Sequence, residues 1–188
     1  MPQVEIVKGV KLDQELALSI VKLKTKVWPK PDSHEVLVAK VLDYSKRDDS
    51  QYGDMSHFIV WDEDDPQTII AHSQTFLREV RSGDQKFNVL ALAAVCTDPE
   101  KRGLGLGKLV VEKSFAQIDE GLVPVCLFQT GVQEFYEKLN CRRIENRFVN
   151  SFDQQEPHKR PFWDKCEMIY PANADWPEGD IDLLGPGY

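Results

Sequence analysis

The chain has 188 residues, 41% of them hydrophobic and 29% charged, a composition that excludes disordered, collagen-like and coiled-coil classes and fits one globular domain. Its 23 basic and 31 acidic side chains leave a net charge of −8, which disfavours nucleic acid as a partner; it either only keeps the chain soluble or suits a cationic amine better than an anion. No apolar run reaches the roughly 18 residues of a membrane span. The opening MPQVEIVKGV lacks a leader pattern, so a cytoplasmic location without membrane attachment is expected.

Residues 3–8 alternate and predict a first strand. Asp13 caps a predicted helix over 14–28, where Leu16, Ile20, Leu23 and Val27 recur at helical spacing until Pro29 and Pro31 end it. Ser33 opens a second helix over 34–46. A polar loop over 47–55 precedes a strand over 57–61. A turn at Asp62–Pro66 then leads into a long strand over 68–81. Ser82-Gly83-Asp84 reads as a hairpin turn to the next strand, 85–97. A glycine-rich loop over 98–107 feeds a helix over 106–120, which Gly121 ends. Residues 123–129 form an apolar strand of the kind buried on both faces. A helix over 132–139 ends at Asn140, a residue that tolerates the left-handed conformation. Strands over 144–152 and 165–170 complete the pattern.

The tail, 171–188, has no lysine or arginine and carries Asp175, Glu178, Asp180 and Asp182. Trp176, Ile181, Leu183, Leu184 and Tyr188 are too apolar for a solvated tail, so it is expected to dock on a domain spanning 1–170. Cys96, Cys126, Cys141 and Cys166 form no CxxC pair and fit reduced, mostly buried thiols. No clustered Cys/His spacing suggests a metal.

The chemically informative segment is Val95-Cys-Thr97-Asp-Pro99-Glu-Lys-Arg102-Gly-Leu-Gly105-Leu-Gly107-Lys108. Strand, glycine-rich loop and helix start in that order build an anion site from unpaired helix amides and the helix dipole. Arg102 and Lys108 add positive charge. Two nucleotide fingerprints fail residue by residue. GxGxxG breaks because Lys108 occupies the third glycine slot. GxxxxGK[ST] breaks because Arg102 stands at the first glycine and Leu109 at the Ser/Thr.

The pattern that fits is (Arg/Gln)-x-x-Gly-x-(Gly/Ala), here Arg102-Gly-Leu-Gly105-Leu-Gly107. With Val95-x-Thr97-x-Pro99 before it, this resembles the acetyl-CoA loop of the GNAT acetyltransferase superfamily. The apolar strand at 123–129 and Phe135-Tyr136-Glu137-Lys138-Leu139-Asn140-Cys141 resemble that family's fifth strand and the tyrosine-bearing helix after it. The resemblance covers about residues 3–170. It implies an α/β (α+β) fold with a central mixed, mostly antiparallel sheet of six to seven strands and about four helices. It also implies acetyl-CoA as donor and an N-acetyltransferase that works by direct transfer through a tetrahedral intermediate. Family members are often dimers.

The same resemblance assigns roles. Backbone groups around Val95, Cys96 and Thr97 would pair with the pantetheine arm. Amides of Arg102, Gly103, Leu104, Gly105, Leu106, Gly107 and Lys108 would hold the pyrophosphate. Tyr136 would protonate the departing thiolate, a role its hydroxyl suits at neutral pH; the alternative is an aromatic core residue. The family's glutamate on the fourth strand is missing, since Ala93 and Ala94 stand there. Glu79 is then the candidate base, or a solvated strand residue opposite Lys86. His72 is the other candidate, or a packed strand histidine. Cys96 reads as an ordinary strand thiol, because direct transfer needs no covalent enzyme intermediate.

The segment Asp175-Trp176-Pro-Glu178-Gly179-Asp180 resembles the acidic end of aminoglycoside 2′-N-acetyltransferases. It points to Trp176, Asp180 and Asp182 as contacts for a small cationic amine. Two other readings stay open: a non-catalytic acyl-CoA-binding module, and an acetyltransferase for protein termini or lysines.

Overall fold

A computed structural model describes residues 2–188. Its contacts divide the chain into two compact units, one formed by the residues up to Phe76 with Ala94–Ala116, the other by Leu77–Ala93 with Gln117–Tyr188. Two long strands, β3 (Ile69–Ser82) and β4 (Gln85–Thr97), contribute to both.

In the first unit, β1 (Glu5–Lys8) pairs antiparallel with β2 (Gly53–Trp61), Glu5 opposite Ile59 and Lys8 opposite Ser56. Helix α1 (Gln14–Val27) starts where the Asp13 carboxylate accepts the Leu16 amide at 2.8 Å, and α2 (His34–Lys46) where the Ser33 hydroxyl accepts the Val36 amide. These caps satisfy amides that have no intrahelical partner. Ala17, Ile20, Val21 and Leu23 of α1 join Val38 of α2 against Ile59, Ile69 and Cys96. Neighbours Phe58 and Val60 turn the other way, as strand alternation requires, and meet Leu106 and Val110 of α3 (Leu106–Asp119). The Ser73 hydroxyl, 2.8 Å from that of Ser114, ties β3 to the same helix.

In the second unit, β5 (Cys126–Thr130) runs parallel to β4, with Leu90 opposite Cys126. After the short helix α4 (Gln133–Glu137) come β6 (Arg142–Ile144) and β7 (Phe148–Val149). Strand β8 (Cys166–Tyr170) pairs antiparallel with both β5 and β6. Strand β9 (Ile181–Asp182) lies antiparallel to β3 and parallel to β7. The hydrogen-bonded order is β1-β2-β3-β4-β5-β8-β6, with β7 and β9 off this path. The architecture is a mixed, mostly antiparallel sheet with four α-helices, as expected.

Three expectations need correcting. The strand expected over 144–152 is two short strands. Between them the Asn146 side-chain amide donates to the carbonyls of Pro177 and Gly179, and its oxygen accepts the Trp176 indole N–H. That clasp bends the chain toward the tail. Strand β2 begins at Gly53 rather than 57, with Asp54 at a positive φ of 44° and its carboxylate bonded to Lys8 of β1 at 2.9 Å. The tail contains a short strand, β9, to which the sequence reading assigned no secondary structure.

Candidate functional site

In the first unit, the glycine-rich loop is fixed from both ends. Asp98 accepts the Glu100 amide and caps a 3-10 turn, Pro99–Lys101. Lys26 of α1 bridges Asp98 at 2.8 Å and Glu100 at 3.0 Å, and Lys101 reaches Asp62 at 2.8 Å. Burial pushes the Asp98 carboxyl up, but the Lys26 hydrogen bond, the Glu100 amide and the charges of Lys26 and Lys101 outweigh it and hold it below the usual range.

Gly103 and Gly105 then adopt φ of +83° and +78°. A Cβ at either would meet nothing within 4 Å. Their glycines therefore serve backbone conformation, which costs other residues about 1–2 kcal/mol, rather than relieving a clash. The ladder of α3 begins with Leu109 N–H donating to the Gly105 carbonyl at 3.0 Å. The amides of Leu106, Gly107 and Lys108 precede it and carry the positive end of the helix dipole. Leu106 is buried and anchors the helix start, while Arg102, Gly103, Leu104 and Gly105 are exposed. Lys108 has Glu112 at 3.7 Å; the Arg102 side chain makes no hydrogen bond or ion pair among the described residues.

The strand leading into this loop carries an unusual residue. Ala94 has φ +51° inside β4, a left-handed conformation that neighbours must impose. Val95 and Thr97 follow, half-buried, with Cys96 buried between them. Burial pushes the Cys96 thiol up to about 12, against the opposing charge of Lys24, so it stays a neutral thiol at physiological pH.

Two histidines of this unit, His57 and His72, form a chain that sequence reasoning missed. His72 Nδ1 lies 3.1 Å from the Ala94 carbonyl, and its Nε2 lies 3.1 Å from His57 Nδ1. His57 Nε2 in turn lies 2.9 Å from the Ser45 hydroxyl. All three side chains are buried. Burial, with the nearby Lys24 charge, lowers His57 to about 4. Burial, the neighbouring His57 and Lys24 hold His72 well below its ordinary value, against the Ala94 hydrogen bond. The readable signal was two histidines placed among apolar strand residues, too far apart in sequence to suggest a pair. Both ring nitrogens of His72 are engaged, so it offers no free nitrogen as a base.

In the second unit, Tyr136 of α4 is buried, its ring 4.6 Å from that of Phe128 and 4.9 Å from that of Phe135. Its hydroxyl makes no hydrogen bond among the described residues. Burial raises its pKa strongly, and Cys141, Cys126 and Asp164 add to the shift, so the phenol keeps its proton far above neutrality. Asn140, at φ +61°, ends the turn after it, and Cys141 N–H donates back to the Tyr136 carbonyl at 3.1 Å. Glu79 pairs with Lys86 at 2.8 Å, the cross-strand partner weighed from the sequence.

The tail residues divide by role. The Trp176 indole bonds Asn146 at 2.7 Å and packs edge-on against Phe87. Asp182 is buried; its oxygens take Arg81 at 2.6 Å and the amides of Ser151 and Leu184. Asp180 keeps 57% of its side chain exposed, with Arg147 at 3.4 Å. Further along, Arg78 donates to the carbonyls of Leu183 and Pro186 at 3.0 and 2.9 Å. Gln129 accepts the amides of Trp163 and Asp164 and donates to the Tyr188 carbonyl. No cluster of three or more metal-ligating side chains occurs among the described residues, and no helix there is long and apolar enough to cross a membrane.

No family model and no curated protein sequence matches the chain; solved structures do. A GNAT family N-acetyltransferase from Escherichia coli, solved in complex with CoA, is similar with a TM-score of 0.62 and 10% identity, covering 99% of this chain and 94% of that one. A glucosamine-6-phosphate N-acetyltransferase from Arabidopsis thaliana gives a TM-score of 0.57 at 16% identity over 80% of this chain and 99% of its own. A GCN5-related N-acetyltransferase from Kribbella flavida gives 0.57 at 13% identity over 76% of this chain, which spans 33% of that protein's length. The fold of this chain is the GNAT acetyltransferase fold. Identities this low establish architecture, and function must be argued from the residues.

Proposed function

We propose that the chain is an acetyl-CoA-dependent N-acetyltransferase acting on a small cationic amine. The observation that carries this reading is the loop Arg102–Lys108. Two left-handed glycines turn the chain into the start of a fourteen-residue helix, beside an arginine whose side chain has no hydrogen bond or ion pair among the described residues. Such a turn suits a diphosphate. In this reading the amides of Arg102 to Lys108 hold the pyrophosphate of the donor, and the backbone of Val95 and Thr97 binds its pantetheine arm.

The thioester supplies an activated acetyl carbon. The amine nitrogen bonds to that carbon, the tetrahedral intermediate collapses, and the C–S bond breaks. Tyr136 is assigned the proton given to the leaving thiolate; a phenol kept neutral by burial is in the donating form. Glu79 is assigned the proton lost by the attacking ammonium. Of the three tail contacts expected for the acceptor, Asp180 is the one that keeps an exposed carboxylate, while Trp176 and Asp182 hold the tail in place. A protein of the same fold is named for a small amino sugar, which supports a small-molecule acceptor.

One observation favours a second reading, a CoA-binding module without transfer: Glu79 is already ion-paired and His72 has no free nitrogen. Thiol release over a panel of amines separates the two. In the first reading Tyr136→Phe lowers kcat by about 10²–10⁴-fold and leaves the Kd for CoA within about twofold. Unchanged kcat in a folded variant removes Tyr136 from the chemistry. No release with any amine, alongside CoA binding, favours the module.

A further inference from the structure

Within the first unit, four successive elements are threaded by one line of buried polar atoms: Ser45 at the end of α2, His57 on β2, His72 on β3 and the carbonyl of Ala94 on β4. The carbonyl fixes the direction of the line, because it can only accept. His72 Nδ1 therefore carries a proton and donates to it. A neutral His72 leaves Nε2 as an acceptor for His57 Nδ1–H, and His57 Nε2 accepts the Ser45 hydroxyl. Every member donates toward β4, and both rings hold the Nδ1–H tautomer. Lys24 of α1 is the charged group whose field reaches both rings.

The end of the line matters more than its members. Ala94 is the left-handed residue of β4, and a residue with φ of +51° in a strand persists only where its surroundings impose it. We propose that Ser45, His57 and His72 are positioning residues for the donor-binding strand. By gripping the Ala94 carbonyl they hold the kink from which Val95, Cys96 and Thr97 depart, and so set the backbone groups that would meet the pantetheine arm. The grip is made of side chains anchored on α2, β2 and β3, so the kink is fixed by the body of the unit rather than by the ligand. This inference rests on the functional reading for its consequence in binding, but not for the grip itself.

The test uses the full chain, with three readouts. Nitrogen-15 NMR of the imidazoles at neutral pH reports the tautomers: Nδ1–H on both His57 and His72 is expected, and an Nε2–H form at either ring overturns the directed line. Amide hydrogen exchange compares His72→Leu, which removes the donor, with His72→Asn, which keeps an N–H near the Nδ1 position. The leucine variant is expected to speed exchange at Val95–Thr97 at least tenfold relative to β8, and the asparagine variant to restore most of the protection. Calorimetry with CoA should follow the same order, with at least a tenfold weaker Kd for leucine and partial recovery for asparagine. Native exchange and affinity in His72→Leu, or an asparagine variant no better than leucine, overturns the proposal. If the leucine variant does not fold, Ser45→Ala takes its place, with a smaller change in the same direction expected and none overturning it. Native protein that binds no CoA defeats the functional reading alone, and the tautomers and exchange still decide the grip.

Discussion

Two residues carry most of the chemical consequence, and both are buried groups held in their neutral forms. For Tyr136, burial keeps the phenol protonated, the form that the proposed proton transfer to a thiolate requires. For His57 the consequence is a pH dependence of stability. Its folded pKa of about 4 lies below the unfolded value of 6.5, so between those values the unfolded chain takes up a proton that the folded chain refuses. His72 is displaced in the same direction. The stabilisation is complete above pH 6.5 and is lost as pH falls toward 4, with a slope of up to about 1.4 kcal/mol per pH unit for each histidine. Denaturant melts at pH 7 and pH 5, a range in which ordinary carboxylates scarcely titrate, should show a clear loss. Equal stability at both values would mean that the two rings are protonated in the fold or reach water.

At the level of elements, the glycine-rich turn has a backbone that other residues could adopt only at a cost. Gly105→Val is expected to weaken CoA binding at least tenfold while the thermal midpoint falls only slightly, because a Cβ there strains φ without touching a neighbour. Retained affinity would show that the turn does not hold the anion. This turn, the capped helices α1 and α2, and the hairpin at Gly83 were readable because each is specified by a few adjacent residues. Asp13 and Ser33 name their own helix starts, and Asn140 its own left-handed stop. What the sequence did not reveal depends on distant partners. The break between β6 and β7 needs Asn146 to find the carbonyls of Pro177 and Gly179. Asp182 appeared free for a cationic ligand until Arg81 and two amides were seen to occupy it. The line from Ser45 to Ala94 joins four elements, and no local pattern encodes it.

For the molecule as a whole, the tail is structural before it is anything else. Ile181 and Leu183 are fully buried in the core of the second unit, and Arg78 and Gln129 bond its backbone. Cutting the chain after Tyr170 would therefore remove core, and a changed KM in that truncation would say little about the acceptor. Leu183→Ala is expected to cost about 2–5 kcal/mol in chemical denaturation; a loss below about 0.5 kcal/mol would mean the tail is not part of the core. The acceptor question is better put to Asp180, whose removal leaves the tail anchored. The proposed roles in acetyl transfer assume that the chain binds coenzyme A through the turn between β4 and α3. Isothermal titration of the intact protein with CoA, repeated with Arg102→Ala, tests that most directly. The account predicts saturable one-site heat in the native chain and at least tenfold weaker binding in the variant. An absence of heat, or equal affinity in the two proteins, would contradict it.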